Sequence, residues 1–138
     1  MLKKQLLIYC LALFFLPVRV MAAECNAPTC YSLISAKDNY HLEIQTTQTV
    51  PINQLFSLDI IITNSEGKPL TSKIDLDLDA SMPQHNHGMN VKPVIKNLGE
   101  GKFQVEGMLF HMSGAWTLSF TITKGITREA AQWVVEVQ

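Results

Sequence analysis

Beyond residue 38, apolar and polar positions alternate in six runs. Leu42 and Ile44 alternate with His41, Glu43 and Gln45. Phe56, Leu58, Ile60 and Ile62 lie on one side of the next run. Ile74, Leu76 and Leu78 alternate with Asp75, Asp77 and Asp79, and Phe103 and Val105 with Gln104 and Glu106. Trp116, Leu118, Phe120 and Ile122 form a fifth apolar face, and Ala131, Trp133, Val135 and Val137 a sixth. A period of two puts the apolar set on one face of a strand, and no stretch here sustains the helical period. Turns fall between the runs at Asn64-Ser-Glu-Gly67, Asn97-Leu-Gly99-Glu-Gly101 and Lys124-Gly125. The pattern predicts an all-β protein: an immunoglobulin-like antiparallel β-sandwich of about seven strands over residues 39–138. The Cys…Trp…Cys spacing of antibody domains is absent. Asp75, Asp77 and Asp79 share one strand face. They lack the loop spacing and glycine of an EF-hand, so a solvated outer face is expected.

The start of the chain follows another logic. Lys3 and Lys4 precede an apolar stretch at 6–18, and Val20-Met21-Ala22 supplies small residues at a cut. This is the layout of a cleaved signal peptide over 1–22, and 13 apolar residues fall short of the roughly 20 needed to span a bilayer. A periplasmic or secreted protein with no membrane span is expected. Glu24 before Cys25 argues against lipidation. Cleavage removes Lys3, Lys4, Arg19 and no acid, so 116 of the 138 residues remain, with 8 basic and 12 acidic side chains and a charge of −4. A chain with no basic stripe is a poor nucleic-acid binder. Cys10 leaves with the signal. Cys25 and Cys30 then form a disulfide that ties an extended segment, 23–38, and closing so small a loop contributes about 2 kcal/mol. A thiolate metal pair is the rival reading.

The candidate chemistry is concentrated in two stretches, Met82-Pro-Gln-His85-Asn-His87-Gly-Met89 and Met108-Leu-Phe-His111-Met112-Ser-Gly114. Three of the four His lie in them, and so do all Met beyond residue 22. If the first stretch is extended, His85, His87 and Met89 share a face, with neighbours about 7 Å apart. Pro83 places the stretch at an edge or in a loop. Imidazole and thioether together suit copper, as Cu(I) or Cu(II), whereas zinc rarely recruits Met. The two stretches must meet at one end of the sandwich for His111 and Met112 to join the set. Against this stand plainer roles: Met108 as core filler, His111 as a structural histidine, His85 and His87 as solvated turn residues. His41, on a polar strand face, is expected to be structural.

These residues, with Gly101-Lys-Phe103, Gly107 and His111-Met112-Ser-Gly114-Ala-Trp116-Thr-Leu118, resemble the YtkA-like family of exported β-sandwich domains over about residues 40–137. The resemblance implies an immunoglobulin-like fold outside the cytoplasm and an association with copper proteins and oxidase assembly. Carried onto this sequence, it marks His85, His87, Met89, His111 and Met112. The expected function is copper binding or delivery in the periplasm, with a metal ion and a periplasmic client protein as partners. The alternative is a non-metal protein-binding module. An enzyme is not expected: a blue-copper site needs a Cys ligand, no Cys follows Cys30, and no Gly-x-Ser-x-Gly occurs.

Overall fold

The computed structural model describes Cys25 and residues 29–138; the expected signal at 1–22 lies outside the described residues. The strands are β1 (Cys30–Ile34), β2 (Tyr40–Gln45), β3 (Phe56–Asn64), β4 (Asp75–Met82), β5 (His87–Gly88), β6 (Val94–Gly99), β7 (Lys102–Met108), β8 (Gly114–Lys124) and β9 (Thr127–Val137). They form two antiparallel sheets, β1-β2-β3-β7-β6 and β5-β4-β8-β9, packed as a sandwich. Nine described strands replace the expected seven or so. The six alternating runs each form one, and the additions have weak patterns: β5 has two residues, and β6 is an edge strand almost wholly exposed.

The alternation does what the period of two requires. Phe56, Leu58, Ile60 and Ile62 of β3 face Leu76, Leu78, Ala80 and Met82 of β4 and Trp116, Leu118, Phe120 and Ile122 of β8 in one buried core. Asp75, Asp77 and Asp79 point outward into water. The turn before β7 depends on Gly101, at φ +78°, where a Cβ would stand 2.1 Å from the Ile62 carbonyl oxygen. No side chain fits against that backbone.

The expected Cys25–Cys30 disulfide is formed. The chain beyond it adds β1 to the sheet edge, Tyr31 opposite Ile44 and Leu33 opposite Leu42. Tyr31 packs on Trp133 of β9 with ring centroids 4.3 Å apart, which ties the two sheets along that side.

At the end where β8 runs into β9, Glu129 lies buried in β9. Ser35 Oγ donates to its Oε2 at 2.8 Å and Asn39 Nδ2 donates to its Oε1. The Ser35 oxygen in turn accepts the Tyr40 backbone N–H at 3.0 Å. Burial alone raises the carboxyl's pKa, but the Asn39 and Ser35 hydrogen bonds and the Lys37 charge outweigh it and hold the pKa below its ordinary value. The same burial, with the Glu129 charge, pushes the Tyr40 phenol up.

Candidate metal centre

The opposite end of the sandwich carries the His/Met stretches. Met82 is the last inward residue of β4. Pro83 cannot donate to a ladder, and Pro83–His85 curls into one 3-10 turn. Asn86 then takes the left-handed conformation, φ 53° and ψ 41°, which reverses the chain. His87–Gly88 returns along β4, His87 opposite Met82 and Gly88 opposite Ser81. The segment is therefore a tight hairpin and not an extended run, so the expected common face for His85, His87 and Met89 does not exist. The turn leaves His85 exposed and turns His87 inward to a half-buried position.

The second stretch closes the same end from across the sandwich. Residues 109–113 link β7 to β8. Phe110 anchors them: it is fully buried, bridges to Ile52, accepts the Asn53 N–H at 2.7 Å and stacks on Trp116 at 4.5 Å. The Trp116 indole Nε1–H donates to the Met112 carbonyl at 3.0 Å. Gly114 opens β8 at φ +119°, and a Cβ there would stand 2.9 Å from the Met82 Cε. That glycine lets the second stretch close over the first.

The result brings three imidazoles together from stretches 24 residues apart between His87 and His111. Ring centroids are 6.0 Å apart for His85 and His87 and 5.1 Å for His87 and His111. Both His87 and His111 meet the Trp116 ring edge-to-face, at 5.8 and 5.5 Å. Two ring nitrogens, His87 Nε2 and His111 Nδ1, are shut off from water and have no hydrogen-bond partner among the described residues. Such a buried acceptor or donor costs about 1–3 kcal/mol, so an orphan needs a reason. His87 also shows which nitrogen is available. Its Nδ1 lies 3.3 Å from the Gly88 carbonyl oxygen. A carbonyl can only accept, so the tautomer that this contact favours has its N–H at Nδ1 and its lone pair at Nε2. A backbone carbonyl that fixes the imidazole tautomer in this way is the usual support of a metal-ligating histidine.

The sulfurs divide. Met82 and Met108 are fully buried core filler, as expected for Met108. Met89 packs half-buried against the core, and Met112 is 39% exposed at the rim. His41 sits elsewhere, on β2, 3.6 Å from Asp38. The donors at this end are imidazole nitrogens of His87 and His111, the imidazole of the exposed His85 and the thioether of Met112 on the same turn as His111, whereas Met89 packs against the core. Two orphaned nitrogens on neighbouring rings fit a soft or borderline cation such as copper. The three imidazoles do not bring three ring nitrogens within 4.8 Å of one another. Among the described residues that criterion is met by Cys25, Cys30 and Glu43, where both sulfurs are held in the disulfide. Trp116 and Gly114 shape this centre, yet their spacing, glycine two residues before tryptophan at the head of an alternating strand, marked a strand and the family resemblance and not a part in the site.

No curated protein and no solved structure matches the chain. The model of the YtkA-like family matches residues 34–121, which carry both stretches and run from the end of β1 into β8. With well over half of its 138 residues inside that match, the chain belongs to the YtkA-like family.

Proposed function

We propose that this protein is an exported copper-binding domain that holds the ion at its His/Met end and passes it on by ligand exchange. One observation carries the reading: His87 Nε2 and His111 Nδ1 are buried, have no hydrogen-bond partner among the described residues and belong to rings 5.1 Å apart. Folding has placed two nitrogens where water cannot satisfy them, and a bound cation removes that cost. His87 and His111 would be the fixed donors. His85 and Met112, exposed at the rim, would be the donors that meet the incoming ion and the recipient. Copper is the expected metal because the set mixes imidazole with thioether. The basic, apolar and small-residue order of residues 1–22 supports a periplasmic or secreted location. Transfer of this kind needs no catalysis, and the recipient would be a periplasmic metalloprotein undergoing assembly.

The test is titration of the secreted form with Cu(I) and with Cu(II) against a competing chelator. His87→Ala with His111→Ala lowers the affinity by about a thousandfold, or about 4 kcal/mol. Unchanged affinity in that double variant removes the assignment.

A second reading has an observation of its own. Edge strand β6 exposes Val94 and Leu98 to water, 59% and 62% accessible. A β-strand partner could add to that edge. Capture of an exported partner that persists in chelator, and survives the double histidine variant, favours the protein-binding module over the metal carrier.

A further inference from the structure

Trp116 lies outside the proposed donor set, yet it touches both inner histidines and the turn that carries His111. Its ring meets both His87 and His111 edge-to-face at 5.8 and 5.5 Å, and stacks on Phe110. Its Nε1–H holds the Met112 carbonyl at 3.0 Å. It is fully buried. We infer that Trp116 is the positioning and selectivity residue of this site, and that the site takes a monovalent soft cation, Cu(I) or Ag(I), in preference to a divalent one. The inference rests on the copper reading and adds to it an oxidation state and a residue.

Two physical arguments carry it. The first is charge. Imidazole and thioether donors are neutral, and no Asp or Glu joins these imidazoles in a three-donor set among the described residues. The penalty for moving an ion out of water grows with the square of its charge. A half-buried site without an anionic donor therefore tolerates one positive charge far better than two. The Trp116 ring, stacked on Phe110 on one side and in edge-to-face contact with His87 and His111, keeps these donors in an apolar, poorly hydrated surround that adds to this preference. Thioether sulfur prefers Cu(I) as well.

The second argument is the turn. Residues 109–113 carry both His111 and Met112, and they are held at two points, Phe110 on the Ile52 side and the Met112 carbonyl on the indole N–H. Without the indole N–H, the turn that carries His111 beside His87 loses one of its two anchors. Trp116 thus acts through the ligands as well as beside them.

The experiment compares Cu(I), Ag(I) and Cu(II) affinities of the secreted protein and of Trp116→Phe, which keeps an aromatic ring and loses the N–H and half the indole. The wild-type chain is expected to favour Cu(I) over Cu(II) by at least about a hundredfold, and Trp116→Phe to weaken both through the loosened turn but Cu(I) by roughly tenfold more than Cu(II). A merely structural tryptophan would lower both affinities by the same factor, and that result overturns the inference. So does wild-type binding of Cu(II) as tightly as Cu(I); in either case copper still binds and the carrier reading stands. Binding of neither oxidation state removes both. Spectroscopy keeps the test open should Trp116→Phe fold poorly. The chain has two tryptophans, so in Trp133→Phe the emission reports Trp116 alone. Ag(I) is expected to quench it stoichiometrically, and to leave it unchanged once His87→Ala is added. Emission indifferent to bound Ag(I) places the ion away from the indole and overturns the assignment.

Discussion

At one end of the sandwich Ser35 and Asn39 donate to the buried Glu129 carboxylate, and the Ser35 hydroxyl also accepts a backbone N–H. At the other end His87 and His111 each keep a ring nitrogen out of water with no partner among the described residues. Both clusters join segments far apart in sequence, Glu129 to Ser35 across 94 residues and His111 to His87 across 24. Both are built from polar groups that would rather be solvated. Their difference is closure. The Glu129 cluster spends its polar atoms on each other, which stabilises the fold and leaves nothing to offer a ligand. The histidine end withholds two nitrogens, which costs stability and leaves donors in place. Polarity in the interior marks structure where it is satisfied and function where it is not.

The comparison is broken most severely by cutting the closed cluster. Glu129→Ala leaves Ser35 and Asn39 without their acceptor, and the expected loss is about 2–3 kcal/mol in a denaturant titration, with copper affinity unchanged. The same carboxylate sets an acid limit. Its pKa is below the ordinary value when folded, so the unfolded chain takes up its proton first as pH falls. The stabilisation is complete above the ordinary carboxylate pKa of about 4.3 and is lost as pH drops through the lower folded value. Glu129→Gln should flatten stability between those two points and leave the curve above them parallel to wild type. A variant with the same acid slope as wild type would show that the proton goes elsewhere.

A smaller effect sharpens the open end. Gly114 sits at φ +119° with the Met82 Cε 2.9 Å from where a Cβ would be, whereas Gly125, at φ +59°, has nothing within 4 Å. Gly114→Ala is expected to cost about 1–2 kcal/mol in thermal unfolding, from strain and displaced Met82 together, and Gly125→Ala less than about 1 kcal/mol from conformation alone. Equal costs would mean that the close approach of β8 to Met82 does not matter to the histidine end.

How much of this was legible in the residues follows the same division. The long strands were, because a buried face and a wet face leave an alternating record: β3, β4, β8 and β9 all lie where Phe56 to Ile62, Leu76 to Leu78, Trp116 to Ile122 and Ala131 to Val137 alternate. Strand β6 left no such record, since Val94, Lys96, Asn97, Leu98 and Gly99 are all exposed. Nor did β1, whose Tyr31 and Leu33 are only half-buried. The donor stretches stood out by composition, and their meeting did not, because it depends on β4 lying beside β8 in the register Ala80 opposite Leu118. The local path of 83–89 was legible only as an edge or a loop, and the shared face of His85, His87 and Met89 held only for an extended path that the chain does not take. Pro83 gave two options, and the left-handed Asn86 that selects the hairpin has no signature beyond its being Asn.

The least expected effect is the most diagnostic of the contrast. His111→Phe keeps an aromatic ring of similar breadth against Trp116 and removes the orphaned Nδ1. If that nitrogen is a cost carried for the sake of a ligand, its removal should stabilise the metal-free protein by about 1 kcal/mol or less, a gain tempered by the larger ring at a half-buried position. Glu129→Ala should destabilise, although both substitutions replace a polar side chain with an apolar one. Opposite signs from similar chemistry would tie the difference to satisfaction of the group and not to its polarity. Copper should then reverse the order at the histidine end: added Cu(I) raises the unfolding midpoint of the wild-type chain by mass action and does little for His111→Phe. A destabilised, metal-free His111→Phe would mean that the ring nitrogen already has a structural partner, and the two ends of the sandwich would be alike after all.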